Sequence, residues 1–163
     1  MKTIYLIRHA KSSWSNGQLS DFDRPLNERG KRDRVTMANR LKAREEKPEI
    51  WISSSAKRTR QTTKKMCSIL GFDFSEVVFF DELYHASHFD ILNCINQLEN
   101  ENQILFLTGH NPGISVFCDC LCNYSVDFTT CGIAKIEFES AKEWAEISGG
   151  TGNLIYFDYP KKE

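Results

Sequence analysis

Short apolar runs alternate along this chain with longer stretches of helical period. The first, KTIYLIR at residues 2–8, is apolar at Ile4–Ile7 and predicts a strand buried on both faces. A polar loop, NGQLSDFDRPL, follows. Asn27 is a suitable helix cap, and NERGKRDRVTMANRLKAREE then predicts a helix with Val35, Ala38 and Leu41 on one face. EIWISSS reads as a strand and AKRTRQTTKKMCSILG as a helix ended by Gly71. VVFF is a short strand. In SHFDILNCINQLEN the apolar positions Phe89, Leu92, Ile95 and Leu98 lie near helical spacing. QILFLTG is another buried strand, NPGISVFCDCLC starts a helix with Pro112 in its first turn, and GIAKIEFE and NLIYFDY are closing strands.

Strands alternating with helices imply an α/β fold, with a mostly parallel sheet covered by helices on both faces. With 163 residues, no repeat and no linker-like stretch, residues 1–163 are expected to form a single domain. In sheets of this kind the ligand crevice lies beyond the carboxyl ends of the strands. That rule selects particular residues. Strand one ends at Arg8 and His9. The second ends at Ser53–Ser55 and leads to Arg58. VVFF ends at Asp81 and Glu82, and QILFLTG ends at His110.

Composition narrows the function. A net charge of −1 supplies no global field for nucleic acid or an anionic membrane, so neither is expected as a partner. No apolar run approaches a membrane span, and the run Ile4–Ile7 is too short for a secretory leader, so a cytoplasmic location is expected. The six cysteines are therefore expected as free thiols. Within CDCLC, Cys118 and Cys122 share one helix face and Cys120 points elsewhere, so three thiols converge poorly on one metal. Core thiols are the expected reading.

Two arginines and two histidines at one rim make an anion site. Guanidinium groups grip phosphate oxygens through paired N–H donors. Helix starts near Ala56 and Asn111 add backbone donors and a positive dipole end, which brings Asn111 into the phosphate-binding set. Metal ligation would call for carboxylates or thiolates beside neutral histidine rather than arginines. A neutral imidazole is also a nucleophile, and adjacent guanidinium groups disfavour its protonation. On this reading His9 attacks phosphorus, Arg8, Arg58 and His110 hold the phosphoryl oxygens, and Glu82 (Asp81 second) protonates the leaving group. His85 and His88, in a polar loop, are read as solvated or structural.

Four segments also carry a family resemblance: RHAKSSW with LSDFDRPLNERG, SSSAKRTRQT, DELYHAS and TGHNPGIS, in that order from residue 5 to about 117. Together they resemble the histidine phosphatase superfamily, and especially its small SixA-like phosphohistidine phosphatase branch. The resemblance implies a three-layer α/β/α sandwich of phosphoglycerate mutase-like fold. It implies His9 as the nucleophile, Arg8, Arg58 and His110 as the phosphate pocket, Glu82 as the proton donor, and neither metal nor cofactor. Ala10 stands where mutase-like members carry Gly, and Ser15 where they carry Asn.

The leading expectation is a phosphatase acting through phospho-His9 on protein phosphohistidine. The alternatives are a phosphatase of a small phosphorylated metabolite and, from another class, a phosphate-binding module without turnover. A phosphomutase would need a closed pocket to retain its intermediate.

Overall fold

The computed structural model describes residues 1–163. Six strands form one sheet: β1 (Lys2–Arg8), β2 (Ile50–Ser54), β3 (Val78–Phe80), β4 (Ile104–Gly109), β5 (Ile133–Phe138) and β6 (Asn153–Asp158). Their order across the sheet is β3-β2-β4-β1-β5-β6. The first four in that order are parallel, and β5 and β6 extend the sheet antiparallel at the β1 side. Four helices cover it: α1 (Glu28–Ala43), α2 (Lys57–Leu70), α3 (His88–Asn96) and α4 (Gly113–Cys122). None is long and apolar enough to cross a membrane.

Alternation along β1 explains the layering. Ile4 and Leu6 pack with Ile91, Ile95, Ile114 and Phe117 of α3 and α4 on one face. Tyr5 and Ile7 pack with Met37, Leu41, Met66 and Leu70 of α1 and α2 on the other. The expected three-layer α/β/α sandwich with a mostly parallel sheet is the fold observed.

Local signals placed most helix ends correctly. Asn27 accepts from the Gly30 amide (2.9 Å), and Gly71 closes α2 with φ 74°. Other details differ. α1 ends at Ala43 rather than running to Glu46, where Glu45 turns left-handed ahead of Pro48. Its buried face is Met37, Ala38 and Leu41, with Val35 only half-buried. α3 starts at His88 under a Ser87–Asp90 capping box and stops at Asn96. Ile91, Cys94 and Ile95 face the core, whereas Phe89 is 66% exposed. Pro112 precedes α4 as its cap instead of lying inside its first turn. All six cysteines are free: Cys67, Cys94, Cys118 and Cys131 are buried, Cys122 is half-buried, and Cys120 is exposed, so the expectation of core thiols fails for Cys120.

One glycine holds the loop that follows His9. A Cβ on Gly30 would lie 2.1 Å from the Lys11 carbonyl oxygen and 2.9 Å from its amide nitrogen. The backbones of α1 and this loop touch there, and neither can give way as a flexible side chain would. Gly30→Ala is expected to destabilise the protein by about 2 kcal/mol, or roughly 4–8 °C in melting temperature. Circular-dichroism melts check this; an unchanged Tm refutes the close approach.

Candidate active site

Register in the sheet brings the strand ends together. Arg8 of β1 pairs with Gly109 of β4, so His9 and His110, each one residue further on, become neighbours with ring centroids 5.1 Å apart. Ser53 of β2 pairs with Thr108 of β4, which puts Ser54 beside His110. Ser54 Oγ lies 2.8 Å from His110 Nε2. α2 starts just beyond, and from its first turn Arg58 reaches across to His9.

His9 is held on both sides. Its amide donates to the Gly109 carbonyl (3.1 Å) and its carbonyl accepts from the Cys131 amide (3.0 Å). The next residue, Ala10, donates its amide to Thr62 Oγ1 of α2 (3.0 Å). In the ring, Nδ1 lies 2.7 Å from the Ala10 carbonyl. A carbonyl only accepts, so Nδ1 carries the proton. Nε2 then carries the lone pair, which accepts from Arg58 Nε at 3.3 Å. Burial, then the guanidinium groups of Arg58, Arg8 and Arg24, push the His9 pKa down from its ordinary 6.5 to about 3, against the opposing Ala10 hydrogen bond. His110 is lowered to about 2 by burial and by His9, Arg58 and His85. At neutral pH both rings are uncharged.

The cations are positioned as firmly. Arg58 donates from Nη1 to the Asp21 carbonyl (2.7 Å) and from Nη2 to Asp21 Oδ2 (3.1 Å). Arg24 donates to Asp21 Oδ1 (2.7 Å), to the Ser13 carbonyl (3.1 Å) and to Ser12 Oγ, and its guanidinium lies 3.3 Å from the Trp14 ring centre. Tyr84 Oη donates to Asp21 Oδ2 at 2.5 Å. Burial works against ionisation of Asp21, yet the bonds from Tyr84 and Arg24 and the nearby Arg58 hold its carboxyl well below the usual carboxylate range. Arg8 Nη1 and Asn111 Nδ2 both donate to the Phe128 carbonyl, at 2.8 and 3.0 Å. Asn111 Oδ1 also accepts from the Ser115 amide, tying it to the first turn of α4. Arg8 Nε and His110 Nδ1 are buried without a protein partner.

Arg8, His9, Asp21, Arg24, Arg58, His110 and Asn111 line one cleft of about 300 Å³, together with Lys11, Ser12, Trp14, His85 and Thr130. Four of its lining side chains, Arg8, Lys11, Arg24 and Arg58, are cationic, and one, Asp21, is anionic. The concentration is local in a chain of net charge −1. A larger groove of about 780 Å³ runs beside β6 but carries none of this set, so charge rather than size marks the site.

The structure thus gathers Arg8, His9, Arg58, His110 and Asn111, the phosphate-directed residues expected from sequence. It does not gather Glu82. The carboxyl end of β3 continues as a 3-10 turn, Asp81–Leu83, in which successive side chains diverge by about 120°. Leu83 takes the buried direction, leaving Asp81 and Glu82 exposed. Glu82 lines a separate depression with Asp90 and Cys94, beside α3. Sequence reasoning also missed Asp21, Arg24, Tyr84, Trp14 and the pocket-lining His85. The LSDFDRP segment was visible as a motif, but nothing local says that Asp21 bridges two arginines from separate elements.

Comparison with known proteins agrees with this geometry. Residues 4–87 match the model of the histidine phosphatase superfamily (branch 1). The chain belongs to the histidine phosphatase superfamily. Its activity class is that of a phosphatase. An uncharacterised chloroplastic protein of Arabidopsis thaliana is 31% identical over 160 residues, covering 93% of this chain and 73% of the relative. Among solved structures, the candidate phosphohistidine phosphatase SixA of Agrobacterium tumefaciens is 30% identical with a TM-score of 0.81, covering 98% of each chain. A SixA protein histidine phosphatase complexed with tungstate has a TM-score of 0.83, covering 97% of each chain, and at 23% identity speaks for the fold alone.

The two depressed histidines give this phosphatase a definite acid response. In the unfolded chain both rings protonate below about 6.5; in the fold they stay neutral until about pH 3 or lower. Between those limits the unfolded state binds more protons, so stability falls as pH falls. Melting temperature is expected to decline steadily from pH 7 to pH 4. The double variant His9→Gln, His110→Gln should decline less steeply; an identical slope in the two proteins counts against this account.

Proposed function

We propose that this histidine phosphatase removes phosphate from phosphohistidine side chains of proteins, through a phosphoenzyme formed on His9. The observation that carries the reading is the tautomer: Nδ1 is engaged by the Ala10 carbonyl, so the lone pair on Nε2 faces Arg58 and the cleft. That lone pair attacks phosphorus and forms an N–P bond. The bond to the leaving nitrogen breaks, and its electron pair goes to the departing imidazole, which takes a proton from solvent. Water then attacks phosphorus and gives up a proton, the N–P bond electrons return to Nε2, and inorganic phosphate leaves. Arg8, Arg58 and His110 bear on the phosphoryl oxygens, where the unpartnered Arg8 Nε and His110 Nδ1 supply donors, and Asn111 sits beside them at the start of α4. The burial that keeps His9 neutral also strengthens these contacts.

The substrate class rests on the mouth of the cleft. Trp14 lines it and is 72% exposed, with Arg24 stacked on one of its faces. A flat aromatic surface fixed from beneath suits a planar imidazole, and an open cleft admits a side chain still attached to a protein. The similarity to the Agrobacterium tumefaciens protein supports the same class.

A direct comparison tests the substrate: a phosphohistidine-bearing phosphotransfer domain against a panel of phosphate monoesters. The highest kcat/KM is expected for the phosphohistidine protein. Far faster turnover of metabolite esters overturns that choice and favours the small-metabolite reading.

A further inference from the structure

With Glu82 turned away, no carboxylic acid stands ready to protonate a leaving group, since Asp21, the one carboxylate in the cleft, is held ionised by Arg24, Arg58 and Tyr84. We propose that His85 is the proton donor for ester substrates and the base that activates water in the second half of the reaction. This rests on His9 being the nucleophile.

Three observations carry it. First, His85 lines the same cleft as His9, His110 and Arg58. Second, its backbone is left-handed, with φ 54°. For an L-residue that conformation is strained and persists only where surrounding structure imposes it. Here it is imposed from both sides. Before it, Tyr84 is anchored by its bond to Asp21 and its ring stands edge-on to His110 at 5.5 Å. After it, the Ala86 carbonyl is pressed so close to α4 that a Cβ on Gly113 would lie 2.3 Å away, and the capping box of α3 begins at Ser87. The left-handed turn falls between Glu82, which faces α3, and the cleft that His85 lines. Third, the His85 ring packs against Tyr84 with centroids 4.0 Å apart, so it is supported rather than free. Tyr84 is in turn bonded to the carboxylate that positions Arg58. The proton donor and the phosphate clamp therefore share one scaffold. An imidazole can both donate and accept a proton, which the two roles require.

The step balances. As His9 Nε2 forms its bond to phosphorus, the P–O bond of the ester breaks and its electron pair goes to the leaving oxygen. That oxygen takes the proton from the His85 imidazolium. The neutral His85 then accepts a proton from water as the water oxygen attacks phospho-His9. The imidazolium is restored, and phosphate is released.

A phosphohistidine leaving group is protonated readily by solvent, so His85 contributes little to it. The exposed position of His85 is compatible with this division. It makes the test specific to the leaving group. His85→Asn keeps a residue that tolerates the left-handed backbone but cannot carry a proton. For wild type and His85→Asn, kcat/KM reports phosphoenzyme formation and is measured on p-nitrophenyl phosphate and on phenyl phosphate. The variant is expected to lose roughly 10²-fold or more on phenyl phosphate. On p-nitrophenyl phosphate, whose leaving group needs no proton, the loss in kcat/KM should stay below about threefold. In contrast, kcat on p-nitrophenyl phosphate should fall while trapped phosphoenzyme accumulates, because the water lacks its base. Glu82→Gln should leave both substrates unchanged. Equal losses on the two esters, no loss on either, or a leaving-group-dependent loss in Glu82→Gln each overturn the assignment. If wild type forms no phosphoenzyme at all, the His9 reading fails with it. If phosphoenzyme forms normally and only the leaving-group pattern is missing, His85 alone is rejected.

Discussion

Replacing His9 with alanine is expected to abolish the phosphoenzyme and to lower turnover by about 10³-fold or more, because it removes the imidazole whose Nδ1 is tied to the Ala10 carbonyl and whose Nε2 lone pair faces Arg58. His110 is the nearest alternative, but its Nε2 is engaged with Ser54 Oγ. Rapid quenching after brief exposure to labelled substrate tests this. Wild-type protein should hold label that is stable in base and labile in acid, the signature of a phosphorus–nitrogen bond. Label that persists on His9→Ala removes His9 from the role. The variant is also informative about folding, since the ring is 7% exposed and accepts from Arg58. A circular-dichroism spectrum matching wild type separates lost chemistry from lost structure.

The second large effect is expected at Arg58. This side chain contacts His9 through Nε and Asp21 through both terminal nitrogens, and the residue is only 6% exposed. On the proposed mechanism Arg58→Ala removes a charge that bears on the transferring phosphoryl group, and kcat/KM should fall by about 10²–10³-fold. Arg58→Lys should recover little of that. An ammonium is a point charge without the planar fork, so it cannot meet His9 and Asp21 together. Product inhibition by inorganic phosphate should weaken in both variants. Near-complete rescue by lysine would show that charge alone matters and that the fork geometry does not.

Much of this was legible along the chain because it rests on local rules. Strand β1 announces itself through four apolar residues ending in Arg8 and His9, and Asn27 and Gly71 mark helix ends through the backbone groups they satisfy. The rule that crevices lie beyond the carboxyl ends of parallel strands places Arg8, His9, Arg58 and His110 at one edge from the sequence alone. The same rule misled at Glu82. It says where a residue sits along a strand, not which way a side chain points in the turn that follows.

Direction is set by burial. In the turn Asp81–Leu83 the core claims Leu83, and Glu82 is carried to the α3 side as a consequence. α3 makes the same point on a smaller scale. Its spacing predicts Phe89, Leu92, Ile95 and Leu98 on one face, whereas the capping box and the packing of Ile91, Cys94 and Ile95 leave Phe89 exposed.

What the sequence by itself determined is the order of elements, the fold class, and the presence of histidines and cations at strand ends. These follow from periodicity and from residue chemistry, which act over a few positions. Only the tertiary structure decided how the ends converge: the β1–β4 register that makes His9 and His110 neighbours, the Asp21 carboxylate that joins Arg24, Arg58 and Tyr84, and the Phe128 carbonyl shared by Arg8 and Asn111. Each joins residues that are far apart in the chain and have no local reason to meet. Their geometry comes from burying both faces of one sheet at once, a condition imposed by the whole chain.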